Sequence, residues 1–261
     1  MNSNRDLIRR SMRLTICALF VCCVVPLTAQ AGSINYGDVT AATVIFKQVT
    51  ESSTNPGVPL FGAPSASGNS LVFNPPNFSA TSINGGVDFT DGTLNTLITS
   101  KPGQFITTIN VNEVGDYTLA GPASTTASAS ISAPIFLQIQ AVNGVDLVSP
   151  YNYQQSVVFT GGGNYSLPAN AGTGVIWSGA ASINVNAVLA AAGISGQATR
   201  IQYTMDNSLL TITGGAGDLA FIKKKDVGGV TLTVPEPSSL VLTAMACLGG
   251  MAMLIRRIKI A

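Results

Sequence analysis

Pro134-Ile135-Phe136-Leu137-Gln138-Ile139-Gln140-Ala141-Val142 alternates apolar and polar side chains over its later positions. A period of two is the mark of a strand with one face on a core and the other in water. The surrounding sequence has the same texture. Its apolar runs are short, its charge is low, and clusters of glycine, proline and asparagine punctuate it. That pattern predicts an all-β domain.

Working outward, strands are expected near Thr43–Thr50, Ser70–Phe73, Gln104–Val111, Tyr117–Leu119, Ser128–Val142, Ser156–Thr160, Gly174–Val185, Thr199–Met205, Leu209–Thr213, Leu219–Lys224 and Val230–Val234. Met205-Asp206-Asn207-Ser208 reads as a tight hairpin turn and Asp226-Val227-Gly228-Gly229 as a second. Asn186 to Gly193 has an asparagine at a cap position, an alanine-rich body and a closing glycine, so a short helix is expected there. The proline-rich stretch Asn55–Pro76 reads as a long surface loop and Ala120–Ser130 as a loose edge strand. No fixed-period repeat is present. About eleven short strands in some two hundred residues predict a two-sheet sandwich or jelly-roll-like fold.

The chain has 261 residues, and its two ends differ from this body. Arg5, Arg9, Arg10 and Arg13 precede the apolar run Leu14–Val25, Pro26 breaks it, and Ala29-Gln30-Ala31 supplies small residues at the positions a signal peptidase reads. Residues 1–31 therefore read as a secretory signal peptide cut after Ala31. Val21 before Cys22 does not fit a lipidation site. Cys17, Cys22 and Cys23 fall in this segment and Cys247 near the other end, which leaves the body without cysteine. Disulfides, thiol catalysis and cysteine-held metal are excluded for it.

At the C-terminal side, Val234-Pro235-Glu236-Pro237-Ser238-Ser239 precedes an uncharged apolar run, Leu240–Ile255, and then Arg256-Arg257-Ile258-Lys259. Two prolines keep the motif extended and accessible. The run spans about 24 Å as a helix, slightly less than the ~30 Å hydrocarbon core, a shortfall that snorkelling basic side chains cover. Arg256, Arg257 and Lys259 would then stay on the cytoplasmic side and fix topology. In order and position this closely resembles the PEP-CTERM sorting signal of Gram-negative bacteria. The resemblance implies an exosortase, a membrane transpeptidase, as the processing enzyme, alongside signal peptidase. It implies a transient inner-membrane anchor and delivery to the cell surface or a biofilm matrix. Ile201 to Leu209, Ala220 to Asp226 and Gly228-Gly229-Val230 are similar to the ending of many PEP-CTERM exported proteins, whose bodies are β domains.

The chemistry open to the body is limited. The chain contains no histidine. Ser-His-Asp and Cys-His catalysis cannot be built, and zinc, copper and iron sites lose their commonest ligand. Neither a Gly-x-Ser-x-Gly elbow nor a phosphate-binding loop occurs, and Gly161-Gly162-Gly163 reads as a turn. Residues 32–234 hold six basic and ten acidic side chains, a net charge of −4. The basic run Lys223-Lys224-Lys225 reads as a solvated strand end, so nucleic acid is not expected as a partner.

Three chemistries remain. Paired carboxylates for glycoside hydrolysis could come from Asp38, Glu51, Asp88, Asp91, Glu113, Asp116, Asp146, Asp206, Asp218 or Asp226, most of which read as turn residues. Asp88 to Gly92 and Asn112 to Asp116 gather oxygen donors in expected loops, yet match no known calcium loop. Tyr151, Tyr153, Tyr165 and Trp177 are candidate sugar platforms, Trp177 reading as a core residue. The expectation is an exported, non-catalytic structural or adhesive domain at residues 32–233, with no cofactor or metal and with exopolysaccharide as a candidate partner. The sorting signal occupies 234–261. The alternative is a secreted carbohydrate-binding module or a carboxylate-dependent glycosidase.

Overall fold

The computed structural model describes residues 32–55, 57–122, 126–225 and 227–236. The expectations at Ala29 and Ala31, at Pro237, Ser238 and Ser239, over 240–255, and at Arg256, Arg257 and Lys259 lie outside the described residues.

Seventeen strands follow in chain order. They are β1 Gly32–Asn35, β2 Val39–Thr40, β3 Val44–Asn55, β4 Ser65–Ser67, β5 Ser70–Phe73, β6 Ser79–Ile83, β7 Val87–Ser100, β8 Thr108–Ala120 and β9 Ala127–Ser132. Then come β10 Pro134–Val142, β11 Val145–Ser156, β12 Val158–Phe159, β13 Asn164–Ser166, β14 Gly172–Asn184, β15 Ala198–Thr213, β16 Leu219–Lys224 and β17 Val230–Thr233. One helix, α1 Val185–Ala191, links β14 to β15.

Among the described residues the strands form two antiparallel sheets in a sandwich-like arrangement. The first has nine strands, in the order β1-β3-β7-β15-β10-β11, with β9 and β13 beside the far half of β15 and β2 on β3. The second has eight, in the order β12-β14-β8-β17-β5-β4, with β16 also on β8 and β6 on β16. Strict alternation produces this. Along β10, Ile135, Leu137 and Ile139 are buried while Gln138 and Gln140 are half-exposed. Both sheets turn such faces inward, and one apolar cluster joins Phe46, Leu94 and Tyr203 of the first sheet to Phe73, Val111 and Trp177 of the second. Burial at roughly 25 cal/mol per Å² of apolar surface is the main stabilising term.

The all-β expectation therefore holds, with five corrections. Met205-Asp206-Asn207-Ser208 is not a turn: β15 runs straight through it. The in-out alternation never breaks there, since Met205, Asn207 and Leu209 all face inward. Asp88 to Gly92 and Asn112 to Asp116 are not loops but lie within β7 and β8. The strands expected at Gln104–Val111 and Tyr117–Leu119 run together in β8, which starts only at Thr108 and bridges the gap between them. Lys223-Lys224-Lys225 is not a solvated strand end, because Lys224 is buried. The stretch from 55 to 76 contains β4 as well as the expected β5.

The short helix is present, capped two residues earlier than expected. Asn184 rather than Asn186 accepts from the Ala187 N–H, at 2.9 Å, and Gly193 follows at φ +70°. Gly161, Gly162 and Gly163 form the expected turn, all at positive φ. No helix among the described residues is long and apolar enough to cross a membrane.

Candidate functional site

The body closes on the first residues of the Pro-Glu-Pro motif. Thr233 ends β17, its hydroxyl 2.7 Å from that of Ser70. The N–H of Val234 then donates to the carbonyl of Asn69 at 3.0 Å, and its side chain is fully buried. Pro235 is half-buried and Glu236 is exposed. Within two residues the chain leaves the core and reaches solvent at Glu236. The rest of the motif lies outside the described residues.

A different cluster, not foreseen from sequence, occupies the interior. Nζ of Lys224 on β16 donates to Oε2 of Glu113 on β8 at 2.6 Å and to Oδ1 of Asn207 on β15 at 2.8 Å. Nδ2 of Asn207 in turn donates to Oε1 of Glu113 at 2.8 Å. All three residues are essentially inaccessible. The ammonium also sits 5.1 Å from the Phe78 ring centre and 5.6 Å from that of Trp177, within cation–π range. Burial pulls the Lys224 ammonium below its ordinary range, while Glu113 pulls it back up. The Tyr203 phenol is pushed well up, first by burial and then by Glu113. The three residues form a closed set with no solvent access, which ties the two sheets together. The signal for it was the parity of Asn207, an inward position in an apolar strand.

Most of the other acids hold structure, Asp226 lying outside the described residues. Glu51, also buried, accepts from the Tyr36 hydroxyl and the Leu60 N–H, both at 3.0 Å, and from the N–H groups of Phe61 at 2.7 Å and Gly62 at 3.2 Å. Burial, and then Glu51, raise the Tyr36 phenol. Asp116 pairs with Lys225 and Asp146 with Arg200. Asp38 accepts from the Gln48 N–H and Asp88 from that of Thr81. Asp218 accepts from the N–H groups of Gly214 and Gly215. Asp91 and Asp206 lie on adjacent strands of the outer face of the first sheet. Burial raises the Asp91 carboxyl, and Asp206 raises it further. Among the described residues no three acids, cysteines or histidines gather as a metal would need.

The aromatic candidates also turn inward. Trp177 is fully buried, as expected, and Tyr165 is buried and stacks on Tyr117 at 4.2 Å. Tyr151 and Tyr153 are half-buried and pack on the core. They stand opposite the inward-facing Ile139 and Leu137, so neither is an exposed sugar platform.

What the outer face of the first sheet does present is a groove of about 490 Å³ lined by Phe136, Gln138, Asn152, Gln154, Gln202 and Thr204. Cross-strand register builds it. Gln202, Gln138 and Asn152 lie opposite one another across β15, β10 and β11, and Thr204, Phe136 and Gln154 form the next row. The amides hold each other. Gln138 donates to Asn152 at 3.3 Å, Gln140 to Gln138 at 3.1 Å, and Gln202 to Asn95. The lining carries no charge, offers donors and acceptors together, and exposes one aromatic ring.

No protein-family model matches this chain, and no curated protein does. Among solved structures it has a distant likeness to endoglucanase 3 of family GH12 from Trichoderma harzianum, at 8% identity over 80% of this chain and 99% of that one, with a TM-score of 0.22. A thermostable cellulase derived from that of Rhodothermus marinus gives 10% identity over 79% and 100%, with a TM-score of 0.21. A family 12 xyloglucanase from Bacillus licheniformis gives 11% over 79% and 100%, with a TM-score of 0.17. Likenesses of this size carry no argument about the chemistry of this chain.

Proposed function

We propose that this is an exported protein whose all-β body is a non-catalytic structural or adhesive component of the cell surface or extracellular matrix. An N-terminal signal peptide starts export. The C-terminal segment from Val234 is a sorting signal of the PEP-CTERM kind, with an apolar span over 240–255 and a basic end that sets topology. An exosortase and a signal peptidase are the processing partners. The observation that supports this most is the exit of the chain. The core ends at Val234, and Glu236 stands in solvent two residues later, within reach of an enzyme. Replacing Pro235, Glu236 and Pro237 by alanine tests it. Intact-mass analysis of the surface protein is expected to show the tail retained in the variant and removed from the parent. Identical processing of both would oppose the reading.

A second reading has its own observation. The uncharged amide groove offers donors and acceptors together, as the hydroxyls of a neutral polysaccharide would need, and this supports exopolysaccharide as a partner of the same body. A carboxylate-dependent glycosidase would instead use Asp91 and Asp206, two acids on adjacent strands, of which Asp91 has its carboxyl raised by burial and then by Asp206. Retardation of the protein in gels containing neutral polysaccharides, lost on Gln138→Ala with Gln202→Ala, supports binding. Release of reducing ends, abolished by Asp91→Asn or Asp206→Asn, supports hydrolysis.

A further inference from the structure

The open edges of the two sheets are unequal. β1, β4, β6, β12 and β13 are two to five residues long. Short edges of this kind are a common defence against unwanted strand pairing. β6 is defended further, since the Thr81 N–H is taken by Asp88. β11 is longer than any of these edges. It has twelve residues, pairs with β10 on one side, and among the described residues has no strand on the other. From Leu147 to Ser156 it carries no charge, and Tyr151-Asn152-Tyr153-Gln154-Gln155-Ser156 has no proline or glycine. Aromatic and amide side chains of this kind stack well in strand ladders.

The direction of its free main-chain groups follows from one hydrogen bond. The Val157 N–H donates to the Ala133 carbonyl at 3.0 Å, one step beyond the Pro134–Ser156 pair of the register. Bonded and non-bonded pairs alternate in an antiparallel ladder. Gln155, Tyr153 and Tyr151 therefore point their main-chain groups at β10, and Ser156, Gln154 and Asn152 point theirs outward. Pro134, which has no N–H to give, stands opposite Ser156, where none is needed.

We propose that this edge pairs with the same edge of a second copy, antiparallel and two-fold, centred on Gln154. This goes beyond the sorting reading and does not depend on it. In that register all three outward residues pair, Gln154 with its own counterpart and Asn152 with Ser156. A shift to a centre at Tyr153 would bring Pro150, without an N–H, opposite Ser156. Self-complementarity selects a copy as the occupant: under the two-fold axis each outward residue of the strand meets one of its own, and no like charges face each other. The amide row Gln202, Gln138 and Asn152 ends at this edge, and the partner's first sheet would continue the ladder.

Cysteine cross-linking of the full-length chain tests both the pairing and the register, after replacing Cys17, Cys22, Cys23 and Cys247 by serine. A bonded pair sets its Cα atoms about 5.5 Å apart, within disulfide reach. Gln154→Cys should give a disulfide dimer on mild oxidation in detergent. Asn152→Cys alone should not, because its counterpart lies ~13 Å away along the strand. Asn152→Cys mixed with Ser156→Cys should cross-link, and adding Gln154→Pro to both should reduce that yield at least tenfold. The proline removes only an outward N–H, which an edge strand tolerates. No dimer from Gln154→Cys, or equal dimer from Asn152→Cys alone, would overturn the proposal. So would a mixed cross-link that survives Gln154→Pro.

Discussion

The ammonium of Lys224 and the carboxylate of Glu113 meet at 2.6 Å with both side chains fully buried. Asn207, from the opposite sheet, bonds to both. Two charges taken out of water cost several kcal/mol each, and only full pairing offsets this. Here each Glu113 oxygen has a partner and Asn207 uses both ends of its amide. The arrangement also fixes how the sheets face each other, since a one-residue slip of β15 would turn Asn207 out to solvent.

Breaking this set from one side should be severe. Lys224→Met leaves Glu113 as an uncompensated buried charge and should lower unfolding stability by about 3–5 kcal/mol, read from urea titration. Lys224→Met with Glu113→Leu and Asn207→Leu should recover most of that loss. A single variant as stable as the parent would show that the pair is not buried as described.

Glu51 anchors the segment from Leu60 to Gly62 by accepting from three successive N–H groups. Glu51→Gln gives one side-chain atom that cannot accept and so strands at least one buried donor. A loss of about 1–3 kcal/mol is expected. Hydrogen exchange at Leu60, Phe61 and Gly62 should quicken more than exchange in β15. Uniform change across the chain would assign Glu51 no local role.

Gly115 is a packing requirement. A Cβ there would lie 2.0 Å from Cζ2 of Trp177 and 2.1 Å from the Lys223 carbonyl oxygen. Neither the indole nor the main chain can retreat without opening the core, so Gly115→Ala should cost at least about 3 kcal/mol, beyond ordinary overpacking. A thermal shift of less than a few degrees would contradict this.

Asp91 supplies a pH dependence. Its carboxyl is raised in the folded state, by burial first and by Asp206 second, above its ordinary value of 3.8. Between that value and the raised one, the folded chain holds a proton the unfolded chain has released. The contribution to stability therefore falls as pH rises through this window. Asp91→Asn should flatten that fall and raise the melting temperature at pH 7 relative to the parent, with the smallest difference below pH 4. A larger gain in acid than at neutrality would reverse the sign.

Much of the fold was legible because alternation is a local signal. β5 and β16 have the expected bounds and β17 lies close to its own, whereas the single strand expected over Ser128–Val142 is divided into β9 and β10. The failures have one physical cause. Val87-Asp88-Phe89-Thr90-Asp91-Gly92 and Met205-Asp206-Asn207-Ser208 look like turns when composition is read residue by residue, since aspartate, asparagine and glycine favour turns. Inside a sheet those residues are supported from neighbouring strands, Asp88 by the Thr81 N–H, Asp206 by Thr93 and Asn207 by Glu113. Such support is non-local and leaves no mark at the residue itself. Lys224 was hidden in the same way, as the middle of a basic run whose neighbours face outward or pair with Asp116. The outer-face groove depends on register across three strands, which no single segment encodes.

We propose that this chain is cargo, delivered beyond the inner membrane and trimmed there. Fractionating cells that express it and weighing the protein in each fraction tests this most directly. The account predicts a surface or extracellular species lacking both the first 31 residues and the apolar tail. A full-length chain in the cytosol, with Leu14–Val25 and Leu240–Ile255 still attached, would contradict it.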